Sequence, residues 1–250
     1  MKDTAIIIQA RMGSTRLPGK MLTEFYDQKQ LIEVIIERLQ SFKFDGEIIL
    51  ATTRELNDNG LVKIADRKGV SIFRGDEENV LKRFIDSAKE FGIKKIIRVC
   101  ADNPFLDEGF FKNVVEESGD SDYCSYFLDE KIPTIKTHFG FFVEYVTLEA
   151  LERILQQTND KLYLEHVTNY IYTYPENFKI KKIIVPVQIL QNKEIRLTID
   201  TIADFDLCKT IYAYFFTKGE QPSALSVIEY IKTKPEFLKS MRDQIKKNEK

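Results

Sequence analysis

The chain has 250 residues, 43% hydrophobic and 30% charged, the balance of a folded globular protein rather than a disordered or fibrous one. Its 37 basic and 39 acidic residues leave a formal net charge of -2, so no global field attracts nucleic acid or anionic lipid, and any anion site has to be built locally. No apolar run approaches the roughly 20 residues that span a bilayer, the opening MKDTAIIIQA is too short in apolar residues for a signal peptide, and Cys100, Cys124 and Cys208 are too scattered for a disulfide frame or metal cluster. The expectation is a cytoplasmic protein with no nucleic-acid partner and no membrane insertion.

In chain order, AIIIQA predicts a strand buried on both faces. QLIEVIIERLQSF predicts a helix, with Ile32, Ile35, Ile36 and Leu39 on one face. EIILATT is a second strand, and LVKIADRKG a short helix closed by Gly69. VSIF, the helix ENVLKRFIDSAKEFG and the strand KKIIRVCAD follow. This alternation implies parallel strands with right-handed crossovers, whose ligands lie beyond the carboxyl ends. Residues 10–20, 51–54, 74–79 and 101–104 then share one edge.

The second half is less regular. DYCSYF and THFGFFVEYV predict strands, TLEALERILQQ a helix, and LYLEHVTNYIYTY a tyrosine-rich helix. IKKIIVPVQIL and EIRLTID predict strands, and TIADFDLCKTIYAYFF a helix. The polar tail FLKSMRDQIKKNEK is expected to fray. The organisation expected is one domain over 1–220, with an irregular insertion at about 122–190 and a helical tail over 221–250.

The loop QARMGSTRLPGK, residues 9–20, follows the first strand with Gly13, Gly19 and three cations, Arg11, Arg16 and Lys20. Glycine lets backbone N–H groups turn inward on a phosphate, and the cations neutralise its charge. A P-loop needs four residues between its glycines and a Ser or Thr after the Lys; here five intervene and Met21 follows Lys20. The dinucleotide fingerprint is also absent. A solvated surface turn and a polyphosphate cradle both remain open on spacing alone.

The same loop resembles the opening signature of the cytidylyltransferase-like family, which includes spore coat polysaccharide proteins of the SpsF type and synthetases of CMP-activated sugar acids. ATT at 51–53, FRGDEENVLKRF at 73–84, RVCADNPFLD at 98–107, EHVTNYIY at 165–172 and RLTIDTIADF at 196–205 extend the likeness in order. The resemblance implies an α/β, Rossmann-like three-layer nucleotidyltransferase fold (GT-A-like). Its sheet would be mixed but mostly parallel, with an inserted acceptor and dimerisation region and a homodimeric assembly.

It also implies a site. Arg11, Ser14, Arg16 and Lys20, with Gly13 in the turn, would hold the triphosphate of CTP, and Arg11 and Lys20 would act in catalysis. Ala10, Ala51, Thr52, Arg74 and Gly75 would border base and ribose. Nucleotidyl transfer needs a divalent ion, and magnesium takes one or two carboxylates beside phosphate and water. Asp102 ends the fourth strand, although an Asp before Asn-Pro can simply form a turn. Thr201 and Asp204 form a T-x-x-D capping pair, which leaves Asp200 free to project. In the family, the matching pair of aspartates holds the catalytic Mg2+.

Arg98, Glu144, Glu165 and His166 match positions near the second substrate, a sugar acid or related small acceptor. Arg74 as an exposed strand-end cation, His166 as a structural residue and the tyrosines around 163–174 as core or subunit contact are the competing roles. Two departures stand out: Ala101 replaces the usual Gly before the metal-binding Asp, and Phe142 replaces the Asp of G-x-D-V-E. The function expected is transfer of CMP from CTP to the acceptor with release of pyrophosphate, in surface polysaccharide or glycoconjugate biosynthesis. A nucleotide-sugar glycosyltransferase and a degenerate nucleotide-binding subunit are the alternatives.

Overall fold

Inward-facing side chains on both faces of β1 (Thr4–Gln9) set the architecture. Ile6 and Ile8 enter one apolar core, Ala5 and Ile7 the other, so the strand needs helices on both sides. In the computed structural model, which describes residues 3–247, that is the arrangement found. A small hairpin, β2 (Glu24–Tyr26) and β3 (Lys29–Gln30), turns through Asp27 and Gln28, both at positive φ. It leads into α1 (Leu31–Ser41), at whose start Gln30 N donates to Glu33 Oε2 (3.0 Å). Next come β4 (Glu47–Thr53), α2 (Asn59–Lys68), β5 (Ser71–Gly75), α3 (Val80–Glu90) and β6 (Lys95–Cys100). Gly69 ends α2 at φ 65°, as its sequence predicts.

The remainder comprises α4 (Glu108–Glu117), β7 (Tyr123–Phe127), β8 (Glu144–Thr147), α5 (Leu148–Gln157), α6 (Lys161–Glu165) and α7 (Asn169–Thr173). Then follow β9 (Ile180–Ile184), α8 (Val187–Leu190), α9 (Ile202–Phe216), α10 (Ala224–Lys232) and α11 (Pro235–Lys247). The seven-stranded sheet has the order β5-β4-β1-β6-β8-β7-β9, and β8 alone runs against the others. Side chains of α1, α2, α4, α9, α10 and α11 cover one face; those of α3, α5 and α7 cover the other. The expected mixed, mostly parallel three-layer α/β fold is present.

From β1 the chain proceeds outward to β4 and β5, then returns to place β6 on the opposite side of β1. The carboxyl ends of β1 and β6, where Gln9 pairs with Cys100, therefore flank the switch point at which such sheets open a crevice.

Several sequence expectations change. The strand predicted over 137–146 is regular only from Glu144, because Gly140 adopts φ 73° and a Cβ there would lie 3.0 Å from the Leu197 backbone. EIRLTID is extended and buried but joins no sheet; Leu197 N and Ile199 N donate instead to His138 O (2.8 Å) and Asp102 O (2.9 Å). The tyrosine-rich helix breaks at His166 into α6 and α7. IKKIIVPVQIL divides at Pro186 into β9 and α8. The tail, expected to fray, is helical to Lys247, with Met241 buried and Thr201 Oγ1 donating to Gln244 Oε1 (3.2 Å); residues 248–250 lie outside the described part. Upstream of it, Arg38 donates to Pro222 O (2.6 Å) and Ala224 N to Asp107 Oδ2 (2.7 Å), tying α10 to the main core.

Candidate active site

A cavity of about 630 Å³ opens at the switch point. Gln9, Arg16, Asp102 and Asp200 line it, as do Arg98, Phe142, Glu144, Glu165, His166 and Tyr172. The bond from Ile199 N to Asp102 O draws together two segments about a hundred positions apart, so both aspartates face one space.

The two carboxylates differ in surroundings. Among the described residues, that of Asp102 has neither a hydrogen bond nor an ion pair. Asp200 projects as expected, with Thr201 and Asp204 forming the predicted reciprocal cap, but it is not free. Its Oδ1 accepts from Arg16 Nη2 at 2.6 Å and its Oδ2 from Arg196 Nη2 at 3.0 Å. A carboxylate only 5% exposed needs such counter-charge, and the sequence does not disclose that Arg196, four positions earlier, supplies it.

Arg196 is itself fully buried, gripping Asp204 through Nε (2.7 Å) and Nη2 (2.9 Å). Burial raises the Asp204 pKa, but the Arg196 bonds and backbone N–H groups outweigh it and hold the carboxyl below its ordinary range. Arg196 Nη1 lies 2.6 Å from His138 Nδ1. Because arginine can only donate, His138 Nδ1 accepts and its proton resides on Nε2.

Loop 9–20 is ordered by its own chain. Lys20 Nζ donates to Ile199 O at 2.5 Å, which places this cation beside Asp200. Arg11 donates to Glu77 O (3.2 Å) and has Glu77 and Glu165 carboxylates each at 3.8 Å. Ser14 Oγ accepts from Leu17 N, and Gly13 is exposed at the loop crest. The residue that sequence reasoning missed is Asp58. Its buried carboxylate accepts from Met12 N (2.8 Å), Thr52 Oγ1 (2.8 Å), Thr53 N (3.0 Å) and Thr53 Oγ1 (2.5 Å), pinning the loop to the end of β4. Burial raises its pKa, yet these donors overcome burial and lower it.

The residues expected around base and ribose sit at the ends of β1, β4 and β5. The side chains of Ala10 and Ala51 enter opposite cores, Thr52 is buried with its hydroxyl on Asp58, and Ala51 O accepts from Ala10 N. Arg74 is no loose strand-end cation: it donates to Thr53 O, Glu55 O and Asn59 Oδ1, all at 2.8 Å, clamping the loop after β4. Gly75 admits the stem of Arg83.

At the acceptor end, Arg98 Nη1 and Glu144 Oε2 form a buried ion pair. Glu144 Oε1 accepts from Tyr123 Oη (2.5 Å) and Thr168 Oγ1 (2.9 Å). The break between α6 and α7 delivers this threonine. Burial lowers the Arg98 pKa, but the Cys100 sulfur and Glu144 outweigh burial and raise it. Tyr172 leaves the cluster of Tyr163, Tyr170 and Tyr174 and faces the cavity, with Lys136 Nζ 4.8 Å from its ring centre. Phe142 stacks on Phe110 (4.8 Å, 16°) and leans on Tyr126 (5.0 Å), so this side of the cavity is aromatic.

Two carboxylates on a polar cavity, one of them unpaired, suit a divalent ion that completes its shell with phosphate and water. Among the described residues no group of three His, Cys, Asp or Glu side chains forms a self-sufficient metal site.

Residues 5–246 match the family model described as cytidylyltransferase. The chain belongs to the cytidylyltransferase family. Membership makes it a nucleotidyltransferase enzyme. Over 245 residues it is 32% identical to the spore coat polysaccharide biosynthesis protein SpsF of Bacillus subtilis (strain 168), covering 94% of this chain and 97% of that one. A solved cytidylyltransferase from Leptospira borgpetersenii is 31% identical and superposes with a TM-score of 0.83 over 94% of this chain and 96% of its own. The structure of CMP:2-keto-3-deoxy-manno-octonic acid synthetase complexed with CTP shares the fold, with a TM-score of 0.64 at 14% identity over 84% and 98%. Among the described residues no helix is long and apolar enough to cross a membrane.

Proposed function

We propose that this cytidylyltransferase transfers CMP from CTP to a sugar acid or related small acceptor, releasing pyrophosphate, in the synthesis of a surface polysaccharide or glycoconjugate. The observation that carries the reading is the unpaired Asp102 carboxylate held beside Asp200 on one cavity that Arg98, Glu144 and His166 also line. The likeness to SpsF, a spore coat polysaccharide biosynthesis protein, supports the polymer, and the likeness to a synthetase solved with CTP supports the nucleotide.

Asp102 and Asp200 would hold a magnesium ion, which would supply positive charge to the triphosphate. Arg11, Arg16 and Lys20, with the Gly13–Ser14 turn, bind the β- and γ-phosphates, so their charges meet the departing pyrophosphate. An acceptor oxygen attacks the α-phosphorus as the bond to pyrophosphate breaks. Arg98, Glu144, Lys136 and His166 position that acceptor, and Phe142 packs against its apolar side. The expected assembly is a homodimer.

Thermal unfolding with CTP, UTP, GTP, ATP and dTTP, each with and without magnesium, tests this reading. Ligand at a hundred times its Kd stabilises by about 2.7 kcal/mol. A magnesium-dependent rise specific to CTP is expected. Absence of a rise with every triphosphate overturns the assignment, as would product analysis showing a nucleotide sugar consumed without pyrophosphate release.

A further inference from the structure

Arg83 takes no part in the site described above. It lies in the first turn of α3, has no solvent exposure, and runs across Gly75, where a Cβ would meet Arg83 Cγ at 2.9 Å and Phe73 Cε1 at 2.8 Å. Its Nη1 donates to Asp76 O at 2.7 Å, but Nε and Nη2 have no hydrogen-bond partner among the described residues. Burial and then the neighbouring Arg11 bring its pKa down to about 10, against the pull of Asp58, Asp76 and Glu77. Idle donors on a buried guanidinium beside a second cation are costly, and packing alone does not call for an arginine there.

The turn over Arg83 is held by Asp76, whose Oδ1 accepts from Glu78 N (2.9 Å) and Asn79 N (2.7 Å). It lays Glu77 on the nucleotide loop: Oε1 is 3.8 Å from Arg11 Nη1 and 3.0 Å from where a Cβ on Gly13 would stand. An own-chain carboxylate thus fills the gap between a cation and a glycine of the anion loop. The aspartates lie on the β6 side of β1, whereas Arg83 lies on the opposite side, by the ends of β4 and β5. On the CTP reading, with the phosphates towards Asp102 and Asp200 and Gly75 bordering the base, the base would come to lie over Arg83, whose stem packs against Gly75.

We propose that Arg83 reads the base of the nucleotide, its Nε–H and Nη2–H donating to O2 and N3 of cytosine once the nucleotide has displaced Glu77 from Arg11 and Gly13. The inference rests on the CTP reading above. Cytosine presents two adjacent acceptors to a forked pair of donors. Uracil carries a proton on N3 and opposes one of them. Guanine offers two acceptors only on its O6/N7 edge.

Calorimetric titration of the wild type, Arg83→Met and Arg83→Lys with CTP, UTP, GTP and inorganic pyrophosphate, all with magnesium, tests it. The wild type should favour CTP over UTP and GTP by about 10- to 100-fold, the effect of leaving one buried donor unpaired. Arg83→Met should bind CTP no better than UTP and keep its pyrophosphate affinity; Arg83→Lys should fall between. A folded Arg83→Met that retains the wild-type CTP preference overturns the proposal, as does a wild type that binds UTP or GTP as tightly as CTP. Should neither variant fold, the ¹⁵N resonance of Arg83 Nε in the wild type decides: CTP should move it and pyrophosphate should not, and a resonance unmoved by CTP rejects the idea. A wild type that binds no triphosphate refutes the CTP reading itself, a result distinct from binding without base preference.

Discussion

Arg16 Nη2 lies 2.6 Å from Asp200 Oδ1, so a cation assigned to the triphosphate rests on a carboxylate assigned to the metal. The two proposed ligands, metal and triphosphate, would exchange this internal pair for external ones. The Arg16 side chain is 50% exposed and Arg196 still pairs with Asp200 when Arg16 is removed, so losing this pair costs about 1 kcal/mol. Arg16→Met should therefore unfold at nearly the wild-type temperature while turnover, measured as pyrophosphate release, falls about 10²-fold. Unchanged turnover would remove Arg16 from the phosphate site.

Asp102→Asn should keep the fold, because no partner among the described residues depends on the Asp102 carboxylate. Turnover should fall by about 10³-fold or more. The increment in CTP binding that magnesium adds should also disappear, which calorimetry with and without the ion would detect. Near-normal turnover would refute the metal assignment.

Glu144→Leu should strongly destabilise the protein, since it strands Arg98 in a buried position and removes the acceptor of Tyr123 and Thr168. Breaking one side of a buried pair costs about 3–5 kcal/mol. In a chain of this size that lowers the unfolding midpoint by roughly 10 °C. Glu144→Gln, which keeps an acceptor, should lose less, and Arg98→Leu combined with Glu144→Leu should recover much of the deficit.

Asp58 should give the protein a distinct acid sensitivity. Its folded pKa is lowered, so its contribution is complete above the ordinary carboxylate range and is lost as pH falls through the folded value. Asp58→Asn should cost about 1–3 kcal/mol at pH 7 and flatten the dependence of stability on pH in the acid region. Chemical denaturation at a series of pH values reads both effects, and an unchanged acid limb would exclude Asp58 as its source.

Cys100 should be the thiol that alkylates first. Burial pushes Cys124 up to about 12 and raises Cys208 well above its usual value, while Cys100 is partly exposed on the cavity wall. Peptide mapping after mild iodoacetamide treatment should find the label on Cys100. Faster labelling of Cys124 or Cys208 would contradict the packing of the core that holds them both.

Most elements of the first hundred residues were legible in the sequence. There the helical periods are clean, β1 and β6 and most of β4 are buried on both faces, and Gly69 ends its helix by a local conformational rule; the hairpin β2–β3 went unpredicted. The motifs also marked the loop at 9–20 and both aspartates, because glycine, cation and strand-end carboxylate have chemical meaning without coordinates. Tertiary structure alone decided what those groups touch. Arg196 and Arg16 converge on Asp200, Asp58 collects donors from two loops, and Thr168 reaches Glu144 only because one predicted helix breaks at His166. It also turned two predicted strands, around Gly140 and Leu197, into paired extended loops, and packed the polar tail through Met241. Periodicity records the face a residue presents to its own element; the partner across a cavity is fixed by how distant elements pack, and no local pattern carries that information.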